Sequence, residues 1–128
     1  MISAQRNKYL ETSIQTATPA QLLIMLIDGA IRFCKQGIEA IREKDYAKAN
    51  ESLGRAQSIV NELNITLDRN VEISQSLALL YDYFNRRLIE ANVSKKIEPA
   101  EEVLGYLIDL KETWVQAALI VKQQTVPK

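Results

Sequence analysis

The sequence predicts an all-α fold: an antiparallel, up-down-up-down four-helix bundle with an N-terminal capping segment. Three observations predict it. Apolar residues recur at helical spacing in four separate stretches. No stretch alternates apolar and polar residues as a half-buried strand does. The connections between the four stretches run about three to six residues, which makes consecutive helices antiparallel neighbours. The chain has 128 residues, enough for one domain with one core.

Residues 1–17 are polar except for three anchors, Tyr9, Leu10 and Ile14. Two readings stand side by side: the anchors dock on the body of the protein, or the segment frays. The bundle is expected over 18–124. Its first helix runs from about Pro19 to Glu43. Thr18 is placed to cap it, Pro19 suits the first helical position, and Gln21 completes a capping box. Leu23, Ile27, Ala30, Cys34, Gly37 and Ile41 fall on one line. Leu22, Leu26, Phe33 and Ala40 flank that line on one side, and Ile24, Ile31 and Ile38 on the other. The apolar arc is about 200° wide, against ~100° or somewhat more for an ordinary surface helix.

Asp45 is placed to cap the second helix, which runs to about Leu67. Its apolar stripe of Tyr46, Ala49, Leu53, Ala56, Val60, Leu63 and Leu67 is narrow. Asp68-Arg69-Asn70 makes the next turn. The third helix spans about Ile73 to Val93, with a narrow stripe of Ile73, Leu77, Leu80, Tyr81, Phe84, Leu88 and Ala91. Pro99 marks the first turn of the fourth helix, where Glu101 and Glu102 favour the positive end of the helix. That helix continues to about Gln123 and again carries an apolar arc of about 200°. Residues 125–128 form a loose tail. In this topology the first and fourth helices are neighbours, so their surplus apolar surfaces join along one side.

Composition excludes much chemistry. Lys plus Arg number 16 and Asp plus Glu number 16, so a net charge of zero gives no electrostatic footprint for nucleic acid. No histidine is present, which removes the commonest general base, the usual haem ligand and the Glu-x-x-His pairs of di-iron bundles. The single cysteine cannot build a structural zinc site or an internal disulfide. Cys34 sits in the apolar arc and reads as a small buried hydrophobe. Gly29, Gly37, Gly54 and Gly105 lie singly within helical patterns, not in a phosphate loop. Gly29 and Gly37 read as points of close helix contact. No enzyme, cofactor or metal site is expected. The first residues lack the apolar core of a signal peptide, and no apolar run approaches the ~20 residues that span a bilayer. The expected compartment is the cytoplasm, with no membrane insertion.

One constellation stands out: Leu80-Tyr81-Asp82-Tyr83, then Arg86-Arg87-Leu88, then Ala91-Asn92. Tyr81, Phe84 and Leu88 belong to the core stripe; Tyr83, Arg86 and Arg87 do not. Asp82 and Arg86 are four apart and can pair on the surface. For Tyr83 and Arg87 two roles remain open, a network that staples the bundle or the lining of a partner groove.

These residues resemble the signature of the flagellar export chaperone (FliS) family, the chaperones of flagellin. Thr16-Ala17-Thr18-Pro19 with Gln21-Leu22, Met25-Leu26, Asp28-Gly29-Ala30, Glu101-Glu102-Val103-Leu104-Gly105 and Thr113-Trp114 resemble it too, in order along most of the chain. Ile27 departs from the pattern, standing where many members carry an aromatic residue. The resemblance implies a bundle that binds the disordered C-terminal segment of flagellin, prevents its premature polymerisation and helps deliver it to the flagellar export apparatus. It also implies that the N-terminal segment covers a groove when no client is bound.

The residues fit such a role. A client that folds into amphipathic helices needs long apolar grooves, and the wide arcs of the first and fourth helices offer them. Leu22, Leu26 and Phe33 on the first helix and Leu110, Trp114, Ala117 and Val121 on the fourth are the expected groove residues, each weighed against plain core. Tyr9, Leu10 and Ile14 are the expected cover. The competing reading is a structural or adaptor bundle whose surplus face closes a homodimer.

Overall fold

The computed structural model describes residues 17–125, with side chains described as far as Ile120. Four helices account for most of it: α1 (Pro19–Arg42), α2 (Tyr46–Ile65), α3 (Ile73–Ser94) and α4 (Ile97–Thr125). No strand occurs among the described residues. The helices form a closed ring: α1 packs on α2, α2 on α3, α3 on α4, and α4 returns to α1. This is the antiparallel four-helix bundle expected from the periodicity. Tyr9, Leu10 and Ile14, expected to cover a groove, the tail 126–128 and the side chain of Val121 lie outside the described residues.

Local chemistry fixes the helix ends. At the start of α1 the Thr18 hydroxyl accepts from the Gln21 N–H at 3.1 Å, and the Gln21 side chain accepts from the Thr18 N–H at 2.9 Å. This reciprocal capping box satisfies two donors that a helix start leaves unpaired. Asp45 caps α2 by accepting from the Lys48 N–H at 3.2 Å. α2 ends at Ile65, two residues before the expected Leu67, where the Thr66 hydroxyl donates to the Leu63 carbonyl at 2.7 Å. Asp68 then accepts from the Asn70 N–H at 3.0 Å and turns the chain into α3. α4 begins at Ile97, so Pro99 stands inside its first turn, where its missing N–H would have had no helical partner.

Two connections turn through left-handed residues that are not glycine, Lys44 (φ 59°) and Lys95 (φ 55°). Lys95 gains partners there: its ammonium donates to Asn50 of α2 and, at 2.9 Å, to Asn92 of α3.

The core consumes most of the wide arc of α1. Ile27, Ala30, Ile31, Cys34, Ile38, Ala40 and Ile41 are all buried. Two glycines let α2 approach: a Cβ on Gly37 would lie 2.6 Å from Leu53 Cδ2, and one on Gly29 would lie 3.1 Å from Ile59. Burial pushes the Cys34 thiol up to about 12, the behaviour of an inert packed sulfur. The surplus expected along the whole of α1 is thus confined to its first two turns. There Leu22 is exposed and Leu23, Ile24, Met25 and Leu26 are only half-buried. On α4 the same division holds. Ala100, Val103 and Leu107 are buried, whereas Trp114, Val115, Ala117 and Ala118 are half-buried and Leu119 and Ile120 are exposed.

Candidate functional site

The two unfinished surfaces meet at one end of the bundle. α1 begins there, α2 ends there, α3 begins there, and the C-terminal half of α4 runs past. Two apolar clefts open at this end, and Trp114 of α4 stands in the wall of both.

The first cleft, of about 520 Å³, enters the bundle between α1 and the start of α3. Leu22, Leu23 and Leu26 form one wall, and Leu67, Leu77 and Tyr81 lie opposite. Leu77 and Tyr81 are core residues, so this cleft is the bundle interior left open at its end. The second cleft, of about 700 Å³, runs between α1 and α4. It is lined by Pro19, Ala20 and Ile24 on one side and by Val115, Ala118 and Leu119 on the other.

The sequence dictates this opening. Pro19 and the Thr18 box fix where α1 begins, and its residues before Ile27 remain exposed or half-buried. The polar turn after Leu67 lies across the end without filling it. The Trp114 indole N–H is buried and meets no acceptor among the described residues. A buried donor without a partner costs about 1–3 kcal/mol.

Of the groove residues expected from the sequence, the fold brings Leu22, Leu26, Trp114 and Ala117 to this end. Leu110 is half-buried against the core below Trp114 and is not in either cleft wall. Phe33 lies apart, on the α2 side of α1. The guanidinium groups of Arg32 and Arg55 stand 5.3 and 5.6 Å from its ring centre and cover it. Tyr83 and Arg87 also lie apart, at the α3–α4 contact near the opposite end. The Tyr83 hydroxyl donates to Glu102, and Arg87 bonds Glu102 at 3.2 Å and Glu90 at 2.5 Å. The hydrogen bond to Glu102 holds the Tyr83 phenol above its usual pKa, with burial adding to it. This is the stapling network, tying α3 to α4.

The surface pair expected between Asp82 and Arg86 does not form: neither side chain joins an ion pair among the described residues. Lys111, the one charge in the α4 arc, pairs with Asp28 of α1 at 2.7 Å. Both are well exposed, so the pair contributes at most about 1 kcal/mol.

Several cleft residues were absent from the expected set. Val71 and Ile73 are exposed apolar residues just past the α2–α3 turn, and both line the first cleft with Leu67. Their signal was present in the sequence: Leu67, Val71 and Ile73 flank a polar turn that gives them nothing to pack on. Val115, Ala118 and Leu119 also line the second cleft, and within a 200° arc nothing in spacing separates them from core.

Comparison with known proteins gives this geometry a context. The sequence matches the family model described as "Flagellar protein FliS" over residues 1–121. This chain belongs to the FliS family. A flagellar secretion chaperone FliS of Bacillus subtilis is 42% identical over 109 residues, covering 85% of this chain and 82% of the relative. A flagellar secretion chaperone FliS of Salmonella typhimurium is 35% identical over 118 residues, covering 90% and 87%. A flagellar secretion chaperone FliSB of Pseudomonas aeruginosa is 29% identical over 107 residues, covering 82% and 85%.

The family is the one that the ordered motifs from Thr16 to Trp114 resemble. FliS proteins are export chaperones and not enzymes, so the site is to be read as a binding surface. Among the described residues no helix is long and apolar enough to cross a membrane.

Proposed function

We propose that this FliS protein is a cytoplasmic chaperone that holds the disordered C-terminal segment of flagellin, prevents its premature polymerisation and helps present it to the flagellar export apparatus. One observation supports this above the others: in a FliS chain, an otherwise closed bundle keeps two apolar clefts at one end, joined at Trp114. The names of the relatives, flagellar secretion chaperones, point the same way.

The mechanism follows from what such a client lacks. An amphipathic segment that folds only on assembly has no partner for its apolar face while monomeric. Docked as helices in the clefts, it buries that face against Leu22, Leu26, Trp114 and Ala117 and is withheld from other copies of itself. Ordering the client costs about 2–5 kcal/mol or more, so binding needs extended apolar contact rather than one anchor. Before the client arrives, Tyr9, Leu10 and Ile14 cover the clefts; their segment joins the body at Ala17, beside Pro19, which lines both.

Calorimetric titration with a flagellin C-terminal peptide tests the assignment. Leu22→Asp, on a side chain already 36% exposed, leaves the fold intact and weakens binding at least tenfold. Trp114→Phe keeps an aromatic ring in the wall of both clefts and gives a smaller loss. Undiminished binding by folded Leu22→Asp protein would remove the client from this end of the bundle.

A further inference from the structure

The outer face of α3 carries a second pattern that the clefts do not use. Gln75, Leu79, Asp82, Arg86, Ile89 and Val93 are all exposed. They are spaced four, three, four, three and four apart, the alternation that places residues on one seam of a coiled coil. This seam is diametrically opposite the core line of Leu77, Phe84 and Ala91. It is apolar where a surface helix is normally polar: Leu79 is 70% exposed, Ile89 48% and Val93 78%.

We propose that this seam docks a second copy of this chain, with the two α3 helices antiparallel about a two-fold axis at the level of Phe84. The order of residues identifies the occupant. A two-fold axis brings together residues equidistant from the axis on the two chains. Asp82 and Arg86 lie two residues either side of position 84, so each Asp82 meets the other copy's Arg86, twice over. Leu79 and Ile89 lie five either side, so each Leu79 meets the other copy's Ile89, twice over. Gln75 and Val93 lie nine either side and close the ends.

Charge decides the orientation. A parallel pairing would set Asp82 on Asp82 and Arg86 on Arg86, and like-charge juxtaposition costs several kcal/mol. Both side chains are free to cross, since neither joins an ion pair within the described part of its own chain. Beside the seam, Ser76, Ala78, Asn85 and Asn92 are small or uncharged and Tyr83 is held by Glu102; the one flanking charge, Glu90, pairs with Arg87 of its own chain and would face the partner's Ser76. A seam one helix wide falls short of the ~800 Å² per partner of a standard stable interface, so the dimer is weak and forms with rising concentration. The face is separate from the wide arcs of α1 and α4 on which the sequence suggested self-association.

Sedimentation equilibrium of the full chain over a range of concentrations tests the proposal. The unaltered protein shows concentration-dependent dimer. Arg86→Asp alone weakens it at least tenfold, Asp82→Arg alone does the same, and the double exchange restores it. The restoration distinguishes the pairing from general damage. A protein that stays monomeric throughout, or a dimer indifferent to the single exchanges, overturns it.

Cysteine cross-linking checks the register independently, with native Cys34 silent because it is buried. Mixing a Leu79→Cys chain with an Ile89→Cys chain gives the mixed disulfide in excess over either self-linked product. Predominant self-linking of Leu79→Cys overturns the antiparallel register.

Discussion

At the Ile41 end of α1, Gly37 lies so close to α2 that a methyl group on it would stand 2.6 Å from Leu53. At the Pro19 end of the same helix, Leu22 stays 36% exposed beside a cleft of about 520 Å³. Both ends draw on one continuous apolar arc. They differ in what the rest of the chain brings to them. The closed end receives α2 against Gly37 and the buried start of α4. The open end receives the polar turn after Leu67, the start of α3 and the flank of Trp114, which leave a cleft between them. Amphipathicity therefore supplies apolar surface, while neighbouring elements decide whether that surface becomes core or remains a place to bind.

The comparison is broken most strongly at the closed side. Phe84→Ala removes a fully buried ring that packs against Tyr81 and Tyr106. It is expected to lower unfolding free energy by about 3–5 kcal/mol in urea titration. Gly37→Ala comes next. The inserted methyl displaces Leu53, which has no exposed surface to relax toward. Overpacking of about 1–3 kcal/mol exceeds the ~1 kcal/mol that alanine adds in helix propensity, so a net loss is expected in the same titration.

At the open end the expected result is the reverse. Leu22→Asp and Ile73→Ser change unfolding free energy by no more than about 0.5–1 kcal/mol, because each side chain is already substantially exposed. Their effect falls on client binding. Large destabilisation by either would mean that this end is core after all.

Cys34 sharpens the contrast by chemistry. Its thiol is pushed up to about 12 from 9.0, so the native sulfur resists iodoacetamide at pH 8 and reacts at the rate of unfolding. The raised value also means that the unfolded chain loses this proton first. The associated stability is present below about pH 9 and is lost as pH rises toward 12. The smallest effect is expected at Lys44→Gly, where relief of a left-handed lysine stabilises the connection by up to about 1 kcal/mol in thermal melts.

The helices were legible because their signals are local. The Thr18–Gln21 box, the Asp45 cap, the four apolar stripes and the close contacts at Gly29 and Gly37 each depend on residues a few positions apart or on a missing side chain. The site was legible only in part. Leu22, Leu26, Trp114 and Ala117 line the clefts, yet the same arcs also contain Phe33, which arginines cover, and Leu110, which packs inward. Spacing assigns a residue to a helix face but not to a height along the bundle, and height is what separates core from cleft here. Val71 escaped because a turn residue gains its meaning only from the helices placed around it, and Ile73, which its spacing puts on the core stripe of α3, is instead 59% exposed because the first turn of α3 lies at the open end of the bundle. Tyr83 and Arg87 stood out in the sequence for their composition, and the bundle uses them as a staple at the other end.

Hydrogen–deuterium exchange of the full chain, with and without a flagellin C-terminal peptide, tests the central claim most directly. The account predicts new protection in residues 19–26, 66–77 and 113–120, with the segment around Gly37 and Leu53 unchanged. Protection confined to the closed end, or none at the Pro19 end when the peptide is bound, would contradict it.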